Sequence, residues 1–277
     1  MRSPAIEKLE RQILRAGGLP VFHKSLEEIL DRIRHDAPLP AIAQAIEKDP
    51  SLTSRVLRLA NSAYYGMSRE VSTLKMAMVL LGVRAVRNLV LSIGMVEILE
   101  DDPDGAYIPT DFLMHCQYAG RAASYLSRLH GLPFAGEDFV VGLVHDVGKL
   151  VLLRAFPEEA AAASDQLGGL RGAELMSVED EVFGVDHAEA GAWAVGQWHL
   201  PSEISLAIAD HHRDGIHVSP LAALAQAADL LAHFHADSPS DALPETWAES
   251  PLLSHPALDR DGLTEALEAE DHERPTH

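Results

Sequence analysis

The chain has 277 residues, 47% of them hydrophobic and 23% charged, with 19 Gly and 16 Pro, proportions that exclude collagen-like, low-complexity and wholly disordered chains. Twenty-two Lys+Arg against 42 Asp+Glu leave a net charge of −20, which repels phosphate backbones and anionic lipid, so neither nucleic acid nor a membrane is expected as a partner. The single cysteine, Cys116, forms no intrachain disulfide, and no apolar run reaches the ~18 residues of a membrane span or forms a signal-peptide core, so a cytoplasmic location is expected.

Apolar residues recur at helical spacing almost throughout, which predicts an all-α fold. Ser3-Pro4 opens a first helix that Gly17-Gly18 closes. Ser25 with Glu28 has capping-box spacing before Ile29 and Ile33. Asp49-Pro50 opens a helix with Leu52, Val56 and Leu59 on one side, and Asn61, Tyr64, Tyr65 and Gly66 close that segment. Val86, Leu89, Val90 and Ile93 stripe the segment 84–99. These elements predict an N-terminal helical bundle over residues 1–107, with the turn-rich stretch DDPDGAYIPTD at 101–111 as the boundary. A second helical unit is expected over 108–236, with helices at 110–129, 137–154, 157–166, 171–183, 187–198, 201–211 and 219–236. Residues 237–277 read as a weakly ordered acidic tail with one short helix near 258–270.

One set of residues stands out from the 15 histidines. His145-Asp146 lies inside the apolar run FVVGLVHDVGKLVLL, where imidazole and carboxylate are costly to bury unless hydrogen-bonded or bound to a metal. His115, His187, the pair His211-His212, and Asp229 each fall on or at the end of a different predicted helix. Packed helices can aim such side chains at one interior point. Plainer roles exist for several of them. Asp186 is the better N-cap for the helix that His187 begins, and His211-His212 sits at a helix end where the dipole favours a cation, with one of the pair expected to face solvent. Lys149 is either a solvated helix residue or a phosphate clamp. Asp111, one turn before His115, could add a carboxylate on the same face. Cys116 points about 100° away from its neighbour and is expected to be a packed thiol. His233 and the remaining histidines fit no ligand pattern.

The order His115, His145-Asp146, His187, His211-His212, Asp229 resembles the HD superfamily of metal-dependent phosphohydrolases. That resemblance implies that His115, His145, Asp146 and Asp229 hold one divalent metal and that His187, His211 and His212 help hold a second. Asp146 would then be the bridging carboxylate, with Lys149 facing a substrate phosphate. The segments LPVFHKSLEEIL, AIEKDPSLTSRVLRLANSAYYG, LKMAMVLLGVRAVRNLVL and EVFGVDHAEAGAWAVGQWHLPSEISLAIADHH resemble the HDOD family, the HD-related output domain, over residues 15–236. The resemblance implies an N-terminal bundle packed on an HD-type helical domain, and a bacterial signal-transduction or regulatory module that acts through signalling proteins in trans. The alternative is a metal-dependent phosphohydrolase acting on a nucleotide or related phosphoester. The branch that hydrolyses cyclic di-GMP carries Gly-Tyr-Pro after its His pair, whereas this chain reads HHRDGIHVSP. The ligand types suit Fe, Mn, Zn, Ni or Mg.

Overall fold

In the computed structural model, the structure describes residues 3–62, 65, 67, 70–100, 110–213, 218–237 and 252–253. Among these, every regular element is an α-helix. The first six are α1 (Pro4–Arg15), α2 (Lys24–Arg34), α3 (Leu39–Glu47), α4 (Pro50–Ala60), α5 (Leu74–Leu81) and α6 (Val83–Glu100). Then follow α7 (Thr110–Leu129), α8 (Glu137–Val144), α9 (Val147–Ala155), α10 (Pro157–Ala162), α11 (Ser164–Leu167) and α12 (Gly172–Phe183). The series ends with α13 (His187–Gln197), α14 (Ser202–Asp210) and α15 (Pro220–Asp237). The all-α prediction holds.

Local chemistry explains where several helices start. Ser3 and Asp49 accept hydrogen bonds from the Ala5 and Leu52 amides, and each precedes a proline at the first helical turn. The Ser25–Glu28 capping box does not form: α2 starts at Lys24, Ser25 Oγ pairs with His23 Nδ1 at 3.0 Å, and Glu28 is drawn instead to Arg32 and Lys48. Asn61 closes α4 and fastens the following turn, exchanging hydrogen bonds with both backbone groups of Val71. Of the proposed boundary at 101–111, residues 110 and 111 begin α7 and the rest lie outside the described residues, as do Tyr64, Gly66 and the helix near 258–270.

Helices α2 to α6 pack on one another around Leu26, Ile29, Ile42, Ile46 and Val90. The α5–α6 pair bends by 120° at its break, and among the described residues no single helix is long and apolar enough to cross a membrane. Helices α7, α8, α13, α14 and α15 form the second group, with α9 against α13. The α7–α15 seam is built from small residues, Ala119, Ala122 and Ala123 facing Ala227, Ala228 and Ala232, which let the helix axes approach closely. Gly142 of α8 crosses α7 so tightly that a Cβ there would lie 2.5 Å from the Ala119 carbonyl oxygen. Leu253 is buried in the same seam, and the Leu252 carbonyl lies 2.9 Å from His130 Nε2.

The two groups are tied at several points. Helix α1 lies against α9 and α13. Lys8 Nζ donates to Phe183 O at 2.9 Å, Arg154 Nε to Gly18 O at 3.0 Å and Trp198 Nε1 to Pro20 O at 2.7 Å. On the other side, Arg84 and Arg87 of α6 reach the buried carboxylate of Glu137 on α8, which also accepts the Ala135 amide.

Candidate metal centre

The doublet His145-Asp146 forms the turn between two helices rather than part of one. The apolar spacing predicts one helix over 137–154, but α8 stops at Val144 and α9 begins at Val147. Asp146 adopts φ −95°, ψ 3°, a bridging conformation. The physical reason is geometric. Neighbours on a continuous helix diverge by about 100°, and the turn lets both side chains face one interior point. Likewise, the predicted helix 157–166 is divided into α10 and α11 at Ala163.

Around that point the structure brings together all seven histidines and aspartates of the predicted set. His115, His145, Asp146 and Asp229 offer four ligand atoms within 4.8 Å of one another, and Asp146, His187, His211 and His212 offer a second such four. Asp146 belongs to both, with a different oxygen toward each. Its Oδ2 lies 3.4 Å from His145 Nε2 and 3.6 Å from His115 Nε2. Its Oδ1 lies 3.5 Å from His187 Nε2 and 3.9 Å from His211 Nε2. Asp229 Oδ1 closes the first cluster at 3.1 Å from His115 Nε2 and 3.3 Å from His145 Nε2. Ligand atoms about 2.1 Å from a cation are separated by about 3.0–3.4 Å, so the first cluster already has nearly the spacing of a coordination shell.

Three of the imidazoles are held by their other nitrogen. His145 Nδ1 lies 2.8 Å from Gly142 O, His211 Nδ1 2.6 Å from Ile208 O, and His187 Nδ1 2.5 Å from Glu179 Oε2. Each anchor fixes the ring and leaves Nε2 facing inward, the arrangement by which proteins orient metal-ligating histidines. Asp146 Oδ1, His187 Nε2, His211 Nε2 and Asp229 Oδ1 are buried without a hydrogen-bond partner. Buried polar atoms are rarely left so, and these four all point into the centre. The donor set, its spacing and these orphaned atoms fit divalent metal.

The electrostatics also call for positive charge. Burial alone would discharge His145, but Asp146 and Asp229 outweigh it and hold its proton up to about 10. Burial would raise both carboxyls, yet Lys149 and His145 keep Asp146, and His115 and His145 keep Asp229, well below the usual carboxylate range. In the second cluster, burial pushes His211 down, and burial with His211 and His187 pushes His212 down to about 2. Neutral imidazole is the form that binds metal.

Some expectations are corrected. His211 is fully buried and His212 is partly buried with a nitrogen in the second cluster, so neither of the pair is simply turned to solvent. Their tight turn after α14, rather than a continuing helix, puts both rings on one side. Asp111 is exposed and belongs to neither cluster. Lys149 lies at the site, where its ammonium donates to Asp146 Oδ2 at 2.6 Å. Cys116 is a buried free thiol whose pKa burial pushes well up. Asp186 caps α13 by accepting from the Glu189 amide.

Two residues at the site escaped the sequence reading. Glu179, on α12, is buried and anchors His187. His233, one turn after Asp229 on α15, places Nε2 3.3 Å from Asp229 Oδ1 and packs its ring 4.6 Å from that of His115. The i, i+4 spacing of Asp229 and His233 was the available signal. His115 (13%), Asp229 (8%) and His233 (23%) are partly exposed, as are Lys149 (23%) and His212, while His145, His187 and His211 are at 0%, so the first cluster reaches the surface on the α7–α15 side.

The profile of the HDOD domain family matches residues 19–214. A candidate phosphohydrolase from Shewanella amazonensis superposes with a TM-score of 0.71 at 27% identity, over 98% of this chain and 95% of that one. An HDOD domain protein with unknown function from Geobacter sulfurreducens has the same fold, with a TM-score of 0.65 at 22% identity over 96% and 94% of the two chains. An uncharacterised protein of Treponema pallidum is 26% identical over 200 residues, which is 72% of this chain; the chain spans 38% of that relative's length.

Proposed function

Because the chain belongs to the HDOD domain family, within the HD superfamily, we propose that it is a cytoplasmic signalling or regulatory module that acts through protein partners and holds divalent metal in its HD-type half. The observation that carries the metal reading is the set of four orphaned buried atoms converging between helices, with the histidines pinned from behind. His115, His145, Asp146 Oδ2 and Asp229 would hold one ion, and Asp146 Oδ1, His187, His211 and His212 a second. The net charge of −20 favours a partner with a basic surface.

A second reading, hydrolysis of a phosphoester, is favoured by the opening of the first cluster on the α7–α15 side and by the likeness to the Shewanella phosphohydrolase candidate. Metal bound there would supply Lewis acidity and an activated water. Asp146 orients both clusters, and Lys149, within 2.6 Å of Asp146, is placed to turn its ammonium toward a phosphate oxygen.

The test is metal content per chain in untagged protein, wild type beside Asp146→Ala. The proposal expects near-stoichiometric metal, or its uptake on reconstitution, in wild type and its loss in the variant. Wild type that takes up no metal, or a folded variant that keeps it, overturns the metal reading. Turnover on a phosphoester panel with Mn²⁺, Fe²⁺ and Mg²⁺ then decides whether hydrolysis accompanies binding.

A further inference from the structure

Helix α12 ends at Phe183, and Gly184, at φ 81°, reverses the chain so that α13 starts three residues later. This left-handed turn brings Glu179, on the last turns of α12, beneath the start of α13. One oxygen of its carboxylate, Oε2, accepts two hydrogen bonds from the same residue: the His187 backbone amide at 2.9 Å and His187 Nδ1 at 2.5 Å. Glu179 is 3% exposed and His187 is fully buried. A carboxylate buried this deeply is costly unless it is answered by charge or strong donors. The amide at a helix N-terminus and an imidazole N–H supply both.

His187 Nε2 is thereby aimed at Asp146 Oδ1, 3.5 Å away, and has no hydrogen-bond partner of its own. His145 and His211 are anchored differently, on backbone carbonyls of their own helices. Only His187, among the anchored three, is held by a charged side chain from another helix. We propose that Glu179 is the positioning residue of the second metal position: it fixes the His187 tautomer and makes Nε2 a stronger lone-pair donor to an ion held there. This rests on the two-position reading above. Among the described residues no hydrogen bond or ion pair joins Glu179 to His115, His145, Asp146 or Asp229, so its direct hold is on the second position.

The experiment titrates the metal-free full-length chain with Mn²⁺, following free and bound ion by electron paramagnetic resonance. Wild type is expected to bind two Mn²⁺ and to show the spectrum of a coupled pair. Glu179→Gln is expected to bind the first Mn²⁺ as wild type does and the second about 10- to 100-fold more weakly, with the coupled spectrum replaced by that of an isolated ion. Glu181→Gln, an exposed site on the same helix, controls for loss of charge and is expected to match wild type. Should the Gln variant not fold, Glu179→Asp carries the test, because its shortened carboxylate weakens only the second site. Two bound ions at wild-type affinity, or an equal loss of both, in a folded Glu179 variant overturns the proposal. Wild type that binds no Mn²⁺ at all overturns the two-position reading itself.

Discussion

At Asp146 a single carboxylate serves two clusters because its residue sits in the turn between two helices rather than within one. The groups around it give the metal-free protein a distinctive response to pH. Burial, partly offset by Asp229, pushes His233 down to about 4, and His212 lies lower still, at about 2. A pKa that falls on folding contributes stability above the unfolded value of about 6.5 that drains away as pH falls. The urea midpoint of metal-free protein is therefore expected to drop between about pH 6.5 and 4, and His233→Asn to make that drop shallower; an unchanged slope contradicts the assignment. His145, held at about 10, works the other way: its contribution is full below about 6.5 and is lost as pH rises through 10. A ligating imidazole must be neutral, so binding displaces that proton. Adding Mn²⁺ to weakly buffered protein at pH 8 is expected to release acid and to bind more tightly as pH is raised. The clustered histidines and aspartates were legible because such residues stand out in apolar runs such as FVVGLVHDVGKL. Glu179 was not, being one of 42 acidic residues and reaching His187 across a turn that breaks every helical period.

Among the elements, α9 and α13 show how packing sets the site. Gly148, two residues after Asp146, lies where the helices meet: a Cβ there would stand 1.8 Å from His187 O and 2.6 Å from Gly191 N. No side chain can occupy that space without moving backbone. Gly148→Ala is therefore expected to push α13, and His187 with it, away from Asp146, at a cost of about 3 kcal/mol or more in stability. A thermal midpoint and metal stoichiometry equal to wild type's would contradict this. Helix existence was readable from apolar period and caps, as at Asp49 and Asp186. The interruption of 137–154 was not, since Val141, Val144, Val147 and Val151 continue the apolar pattern straight through it. What breaks the helix is the demand that adjacent side chains converge, which is a tertiary requirement with no local signature.

Across the whole molecule, the N-terminal helices share one apolar core with the second helical group, and a few part-buried polar ties are added to it. Trp198 is the clearest: its ring lies 6.5 Å from Phe22, and its indole N–H donates to Pro20 O at 2.7 Å, between α1 and α2. Trp198→Phe keeps most of the apolar contact and removes the donor, so it is expected to cost about 1–3 kcal/mol in urea unfolding and to leave metal content unchanged. Loss of metal in that variant would show that the bundle contact shapes the centre. The all-α class and the HDOD likeness were legible in the sequence through long ordered patterns, while ties such as Trp198 to Pro20 span 178 positions and have no sequence pattern.

The account turns on Asp146 as the bridge between two metal positions. The most direct measurement is anomalous diffraction from crystals of the full-length chain grown with Mn²⁺. The account predicts two peaks on opposite sides of Asp146, one among His115, His145 and Asp229, the other among His187, His211 and His212. A single peak remote from Asp146, or none at full occupancy of the added metal in solution, would contradict it.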